Sequence, residues 1–190
     1  MEIKIKRKEV LINILIYLGL ILIVLGNVLI QNIGNMDEIW VYNFGRCIVE
    51  GLIPYKDISM IITPLFPYIC ALFLKIFGNE IFVLRIVESI ETGTILFMTY
   101  KIMQRLKMNK GVALLITLGI SYIYKDMFCL DYNWAVLLIE LILLYIELRN
   151  KDDMLKFSFK REFLLGILAR KYNFTKTDFR TIFCIYLYIL

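Results

Sequence analysis

Two adjacent carboxylates, Asp37 and Glu38, follow closely on an apolar run that ends at Ile30. Such a couplet can hold a divalent cation or take the proton from an incoming hydroxyl. The same residues also suit the first turn of a helix, where acids meet the positive end of the dipole and Asn35 with Glu38 three positions on makes a cap-like pattern. Spacing alone favours the cap. A second acidic segment, Lys125 to Asn133, carries Asp126 and Asp131. It reads either as a loop converging with Asp37 on one site or as a solvated turn whose Asp and Asn cap the next helix.

A third group lies inside an apolar stretch. Arg85, Glu88 and Thr92 share one helical face, with Ser89 beside them and Glu91 at its edge. Ionisable groups at such depth face protein or water. Arg85 and Glu88 are three apart, which makes them either a structural ion pair at the interface or a seat for an anionic group. Glu140 and Glu147 pose the same question, and no chemistry is assigned to them. Tyr and Phe are abundant and read as belt and core residues before they read as a sugar- or lipid-stacking groove.

Other chemistries are excluded by what the chain lacks. There is no His, so a His-based triad is impossible. Cys47, Cys70, Cys129 and Cys184 form no C-x-x-C, and neither a zinc site nor a disulfide framework is supported. Cys47 and Cys129 are both expected on the outer face, where a pairing is conceivable on position alone. No metal ligand set is assigned. Apolar residues make up 60% of the 190, against roughly 45–50% in soluble domains, so a water-soluble enzyme is nearly excluded. The net charge of +5 is a modest excess that suits loops beside an anionic leaflet; a nucleic-acid partner would need a dense basic stripe.

The charges divide the chain into the elements that must position these groups. Residues 1–9 carry four cations and precede 10–30, an uncharged run of about 31 Å as a helix. That run is long for a signal peptide and lacks a small-residue cleavage site, so it reads as an uncleaved first span with a cytoplasmic N-terminus. Residues 31–80 form an outer loop containing all three prolines. Trp40, Val41, Phe44, Cys47 and Ile48 trace an apolar arc opposite Glu38, Arg46 and Glu50, the pattern of an interfacial helix that Gly51 would end. From Ile61 to Phe77 the chain is apolar again, but Pro64, Pro67 and Lys75 suggest a broken, partly inserted juxtamembrane helix.

Residues 81–103 form the second span and 104–110 a basic cytoplasmic loop. Residues 111–124 and 134–148 are short third and fourth spans, joined by the outer loop 125–133 and followed by the cation-rich loop 149–162. The expected fold is all-α: a multi-pass helical bundle in the cell membrane with about four spans. In 163–190, the seven-residue FLLGILA and the nine-residue IFCIYLYIL are each too short to cross. This segment reads as an incomplete fifth span with an atypical tail, as if the sequence were truncated or its frame lost near Ala169.

Asp37-Glu38, Tyr42 and Arg46, the stretch Glu50-Gly51-Leu52-Ile53-Pro54-Tyr55-Lys56-Asp57, Thr63-Pro64-Leu65, Phe77-Gly78 and Arg85 occur in one order. Over residues 8 to 168 that series resembles the start of a GT-C membrane glycosyltransferase, in the branch of protein O-mannosyltransferases and the lipid A aminoarabinose transferase. The resemblance implies transfer of a sugar from a polyprenyl-phosphate donor to an acceptor on the outer face, with inversion at the anomeric carbon. Asp37 would be the general base, with Glu38 or Asp131 orienting the acceptor or holding a metal ion. Lys56 or Arg85 would meet the lipid phosphate. A cofactor is not fixed by the sequence, a divalent cation being the one candidate. Members of the family are several times longer, so this chain alone is expected to be inactive. The competing reading is a small non-catalytic multi-span protein, an interaction subunit or transporter fragment, with Asp37-Glu38 a cap. Membrane lipids are partners in either case, and the oligomeric state is open.

Overall fold

The computed structural model describes residues 2–33, 36–126 and 129–150. The expectations for 151–190, the Asn35 cap and the side chain of Glu147 fall outside the described residues. Six helices follow in chain order: α1 (Glu2–Ile30), α2 (Met36–Val49), α3 (Leu65–Phe77), α4 (Ile81–Arg105), α5 (Lys110–Ile123) and α6 (Tyr132–Asn150). The described fold is all-helical, with a lone backbone bridge between Pro54 and Ile58.

α4 is the hub against which α1, α3, α5 and α6 pack. Its buried positions explain the role. Ser89, Thr92 and Gly93 are small, and they alternate with Leu84, Ile95, Leu96 and Tyr100. Small residues let helix backbones approach closely where the surroundings are apolar. At Gly93 a Cβ would lie 2.6 Å from Ile21 Cγ1 and 3.0 Å from its Cα, so α1 rests directly on the α4 backbone. On α1, Leu20, Val24 and Val28 form the matching stripe at four-residue intervals and cluster with Leu96. Tyr17 adds a hydroxyl contact to Thr94 Oγ1 at 3.0 Å. α5 turns a stripe of Ala113, Thr117 and Ser121 inward, and Thr117 returns its hydroxyl to the Ala113 carbonyl.

The remainder of α1 shows Leu11, Leu15, Leu18 and Leu22 outward. An apolar exterior around a thin packed stripe suits lipid as the surrounding solvent. Within α1, Arg7–Ile30 is long and apolar enough to cross a membrane, and it is the one such helix among the described residues. α4 has 25 residues but interrupts its apolar run with charges, and α5 and α6 are shorter in apolar length.

The outer segment departs from expectation in two ways. α3 is continuous. Pro64 stands at its N-cap and Pro67 in its first turn, where backbone N–H groups have no helical acceptor, so the prolines start the helix and do not break it. In α2, the buried face is Glu38, Val41 and Gly45, whereas Trp40 is 51% exposed. Glu38 therefore lies on the packed side, opposite to the polar arc expected of it. The reason is steric and electrostatic together: Gly45 lets α2 seat on Cys70 and Leu74 of α3, and Arg85 neutralises Glu38.

Gly51, at φ 92°, ends α2 by donating to Ile48 O while Leu52 N–H reaches Cys47 O, both 3.0 Å. α4 ends the same way, but with Lys107 at φ 63° in the left-handed position. Cys47, Cys70 and Cys129 are free thiols, so the Cys47–Cys129 pairing does not form.

Candidate active site

At one end of the bundle, α1 finishes, α2 begins, and α4 and α6 begin. The cluster of Val41, Cys70, Leu74, Leu84 and Leu130 packs these starts together. Arg85, in the first turns of α4, is the joint. Its Nε donates to Glu38 Oε1 at 2.6 Å and its Nη2 to Glu38 Oε2 at 3.2 Å. Nη1 donates to the carbonyls of Val28 and Gln31 at 3.2 and 3.1 Å. The two carbonyls belong to the C-terminal end of α1, where helices leave acceptors without an internal partner. One guanidinium thus fastens α1 to the head of α2, and planar bidentate geometry suits it to a carboxylate.

The ion pair with Glu88 was one of two readings that spacing left open for Arg85; its guanidinium pairs instead with Glu38, across 47 positions of sequence. Proximity along the helix offered Glu88, but α2 brings the Glu38 carboxylate to Nε and Nη2. Glu88 is buried one turn further and within electrostatic reach of Glu38, Arg85 and Glu91. Ser89 returns its hydroxyl to the Arg85 carbonyl at 2.8 Å.

The adjacent acids of the couplet diverge. Helical geometry turns Glu38 into the protein and leaves Asp37 exposed in the first turn of α2. Asp37 lies within electrostatic reach of Asp131. Asp131 is 7% exposed at the start of α6, and its carbonyl accepts from Trp134 and Ala135 N–H at 3.2 and 3.3 Å. Its carboxylate accepts from the Asn133 side chain. Burial pushes the Asp131 carboxyl above its ordinary range. Hydrogen bonds from Asn133 and the Tyr132 amide oppose that push, and the Asp37 carboxylate adds to it. Asp131 therefore stands at the head of α6, within electrostatic reach of Asp37.

Glu91, one turn below Glu88, is within electrostatic reach of Asp131 and has a buried carboxyl oxygen, Oε2, with no hydrogen-bond partner. The Asn79 side-chain oxygen is another such atom. The signal for Glu88 and Glu91 was in the sequence: with Arg85 they recur every three residues down one side of α4. Among the described residues, no group of three acids or cysteines is placed to hold a metal ion.

Lys56 sits apart in a turn. Asp57 closes that turn by accepting from Ile53 N–H at 2.9 Å, and Tyr55 adopts φ 66° within it. Lys56 itself is exposed, and no ion pair joins it to the carboxylates among the described residues. Tyr42 donates to the Asn79 carbonyl at 3.1 Å, and Arg46 to Glu50 at 2.8 Å. Motif residues of this segment thus hold α2 and its turn in place.

No curated protein and no solved structure matches the chain at a significant level. Residues 62–156 match the family model of the dolichyl-phosphate-mannose-protein mannosyltransferases. That half of the chain includes α3 to α6 with Arg85, Glu88, Glu91 and Asp131, and it leaves Asp37, Glu38 and Lys56 upstream. The match covers the hub helix and the second acidic loop, and by it the chain belongs to the dolichyl-phosphate-mannose-protein mannosyltransferase family.

Proposed function

We propose that the carboxylate cluster is the acceptor side of a membrane glycosyltransferase of the GT-C type, taking its sugar from a polyprenyl-phosphate donor at the outer face. The observation that carries the reading is the division of labour in the couplet: Glu38 is locked by Arg85, while Asp37 is exposed and within electrostatic reach of Asp131. In this reaction the acceptor oxygen attacks the anomeric carbon from the face opposite the phosphate. A bond forms between them, and the carbon–oxygen bond to the lipid phosphate breaks with its electron pair on the phosphate. The acceptor proton passes to Asp37. Asp131, whose proton is held more tightly, orients the acceptor by a hydrogen bond. No step is routed through a metal ion; among the described residues the acids do not form a ligand set.

Arg85 takes a different role from phosphate binding. Nε, Nη1 and Nη2 are all engaged, so it positions Asp37 through Glu38 and the end of α1. Lys56, exposed on its turn, is a cation able to meet the leaving phosphate. The multi-pass topology belongs to the same proposal, with the N-terminus cytoplasmic and α2 and α3 at the outer surface. A lipid-borne donor makes that location sensible.

The test is transfer of labelled sugar from polyprenyl-phosphate sugars in membranes where the protein carrying this segment is active, with the segment as wild type or Asp37→Asn. Loss of roughly 10²–10⁴-fold is expected. Full transfer by the variant removes Asp37 from the mechanism. For topology, maleimide labelling of Cys47 from the cytoplasmic side alone would overturn the orientation.

A further inference from the structure

The opposite end of the bundle holds a second polar feature. A cleft of about 390 Å³ opens where the start of α1, the end of α4, the start of α5 and the end of α6 meet. Its lining among the described residues includes Lys101, Arg105 and Lys110 together with one acid, Glu9. The cations are held in different ways. Lys110 pairs with Glu9 at 3.1 Å, and both side chains are more than half exposed. Lys101 is half-buried and donates to Gln104 Oε1 at 3.2 Å; an ammonium has three protons to give. Arg105 lies over the Tyr145 ring, its guanidinium carbon 5.7 Å from the centroid, and both line the cleft.

Ile12 and Met108, both exposed apolar side chains, line the cleft, and Leu11, Leu15, Leu18 and Leu22 continue the exposed apolar surface along α1. Cations over a concave opening, bordered by apolar helix surface, match a molecule with an anionic head and hydrocarbon tails. A freely diffusing phosphate would gain nothing from that border. We infer that this cleft is a binding site for the phosphodiester headgroup of an anionic phospholipid, with Lys101 and Arg105 as its ligands and the acyl chains lying along α1. The inference is independent of Asp37 and of sugar transfer; it shares with the proposed function only the placement of the bundle in a membrane.

The experiment is native mass spectrometry of the full 190-residue chain in detergent, with phosphatidylglycerol, phosphatidylcholine or inorganic phosphate added at equal concentration. Phosphatidylglycerol should be retained over the other two. Each cation near a lipid surface is worth about fivefold in affinity, so Lys101→Gln with Arg105→Gln should weaken retention by roughly 25-fold. Glu9→Gln removes an exposed lining acid and should strengthen retention several-fold; it keeps the test decisive if the double variant does not fold. Equal retention of phosphatidylglycerol and phosphatidylcholine, equal retention of inorganic phosphate, or no response to Glu9→Gln would each overturn the assignment.

Discussion

Replacing Arg85 with Met isolates the largest electrostatic contribution visible in the structure. The substitution keeps much of the side-chain volume and removes four hydrogen bonds, two to Glu38 and one each to Val28 O and Gln31 O. The cost is dominated by what is left behind: the Glu38 side chain is 9% exposed and becomes a buried charge without its counter-ion. Removing one partner of a buried pair costs about 3–5 kcal/mol, far above the ~0–1 kcal/mol of an exposed pair such as Arg46–Glu50. Glu38→Gln should fall in the same range, because the guanidinium then loses its anion. The double variant should cost less than the sum by about 2 kcal/mol or more, since each single change already destroys the shared interaction. Unfolding in mixed micelles, followed by the fluorescence of Trp40 and Trp134, reads all three values. Single costs near 1 kcal/mol that add without coupling would show that water solvates this pair, and the clamp would lose its structural meaning.

Three further outcomes follow from other positions. Gly93→Ala pushes a methyl group onto Ile21 at side chain and backbone, and should destabilise by about 1–3 kcal/mol in the same unfolding assay. Lys107→Gly relieves a left-handed residue at the end of α4 and should gain about 0.5–1 kcal/mol; an unchanged or lowered midpoint would contradict that strain. Asp131 has its pKa raised above the ordinary 3.8, so folding holds its proton more tightly than the unfolded chain does. Its contribution is fully present below pH 3.8 and is lost as pH rises through the raised value. The stability of wild type minus that of Asp131→Asn should therefore decline as pH rises from about 4 towards neutrality. A flat difference would mean that Asp131 is solvated.

Apolar runs bounded by cations made the helices legible, because an apolar helix in lipid advertises itself by length alone. Gly51 was legible as a stop for the same kind of reason: one residue type answers one backbone demand. Pro67 was misread because a proline's effect depends on its distance from the helix start, which the sequence does not mark. Glu38 was misread because amphipathic patterning assigns a charge to the wet side unless its partner is known. Arg85 sits 47 positions away, and nothing local points to it. The seat of Ile21 on Gly93 is likewise a property of two helices meeting and of neither alone.

The Arg85 latch also orders events during synthesis. Val28, Gln31 and Glu38 leave the ribosome well before Arg85, so the end of the first helix waits with its terminal carbonyls and an acid still unmatched. Water must solvate them in the interval. Only when the hub helix arrives can the latch close, which ties the docking of α2 to a residue translated dozens of codons later.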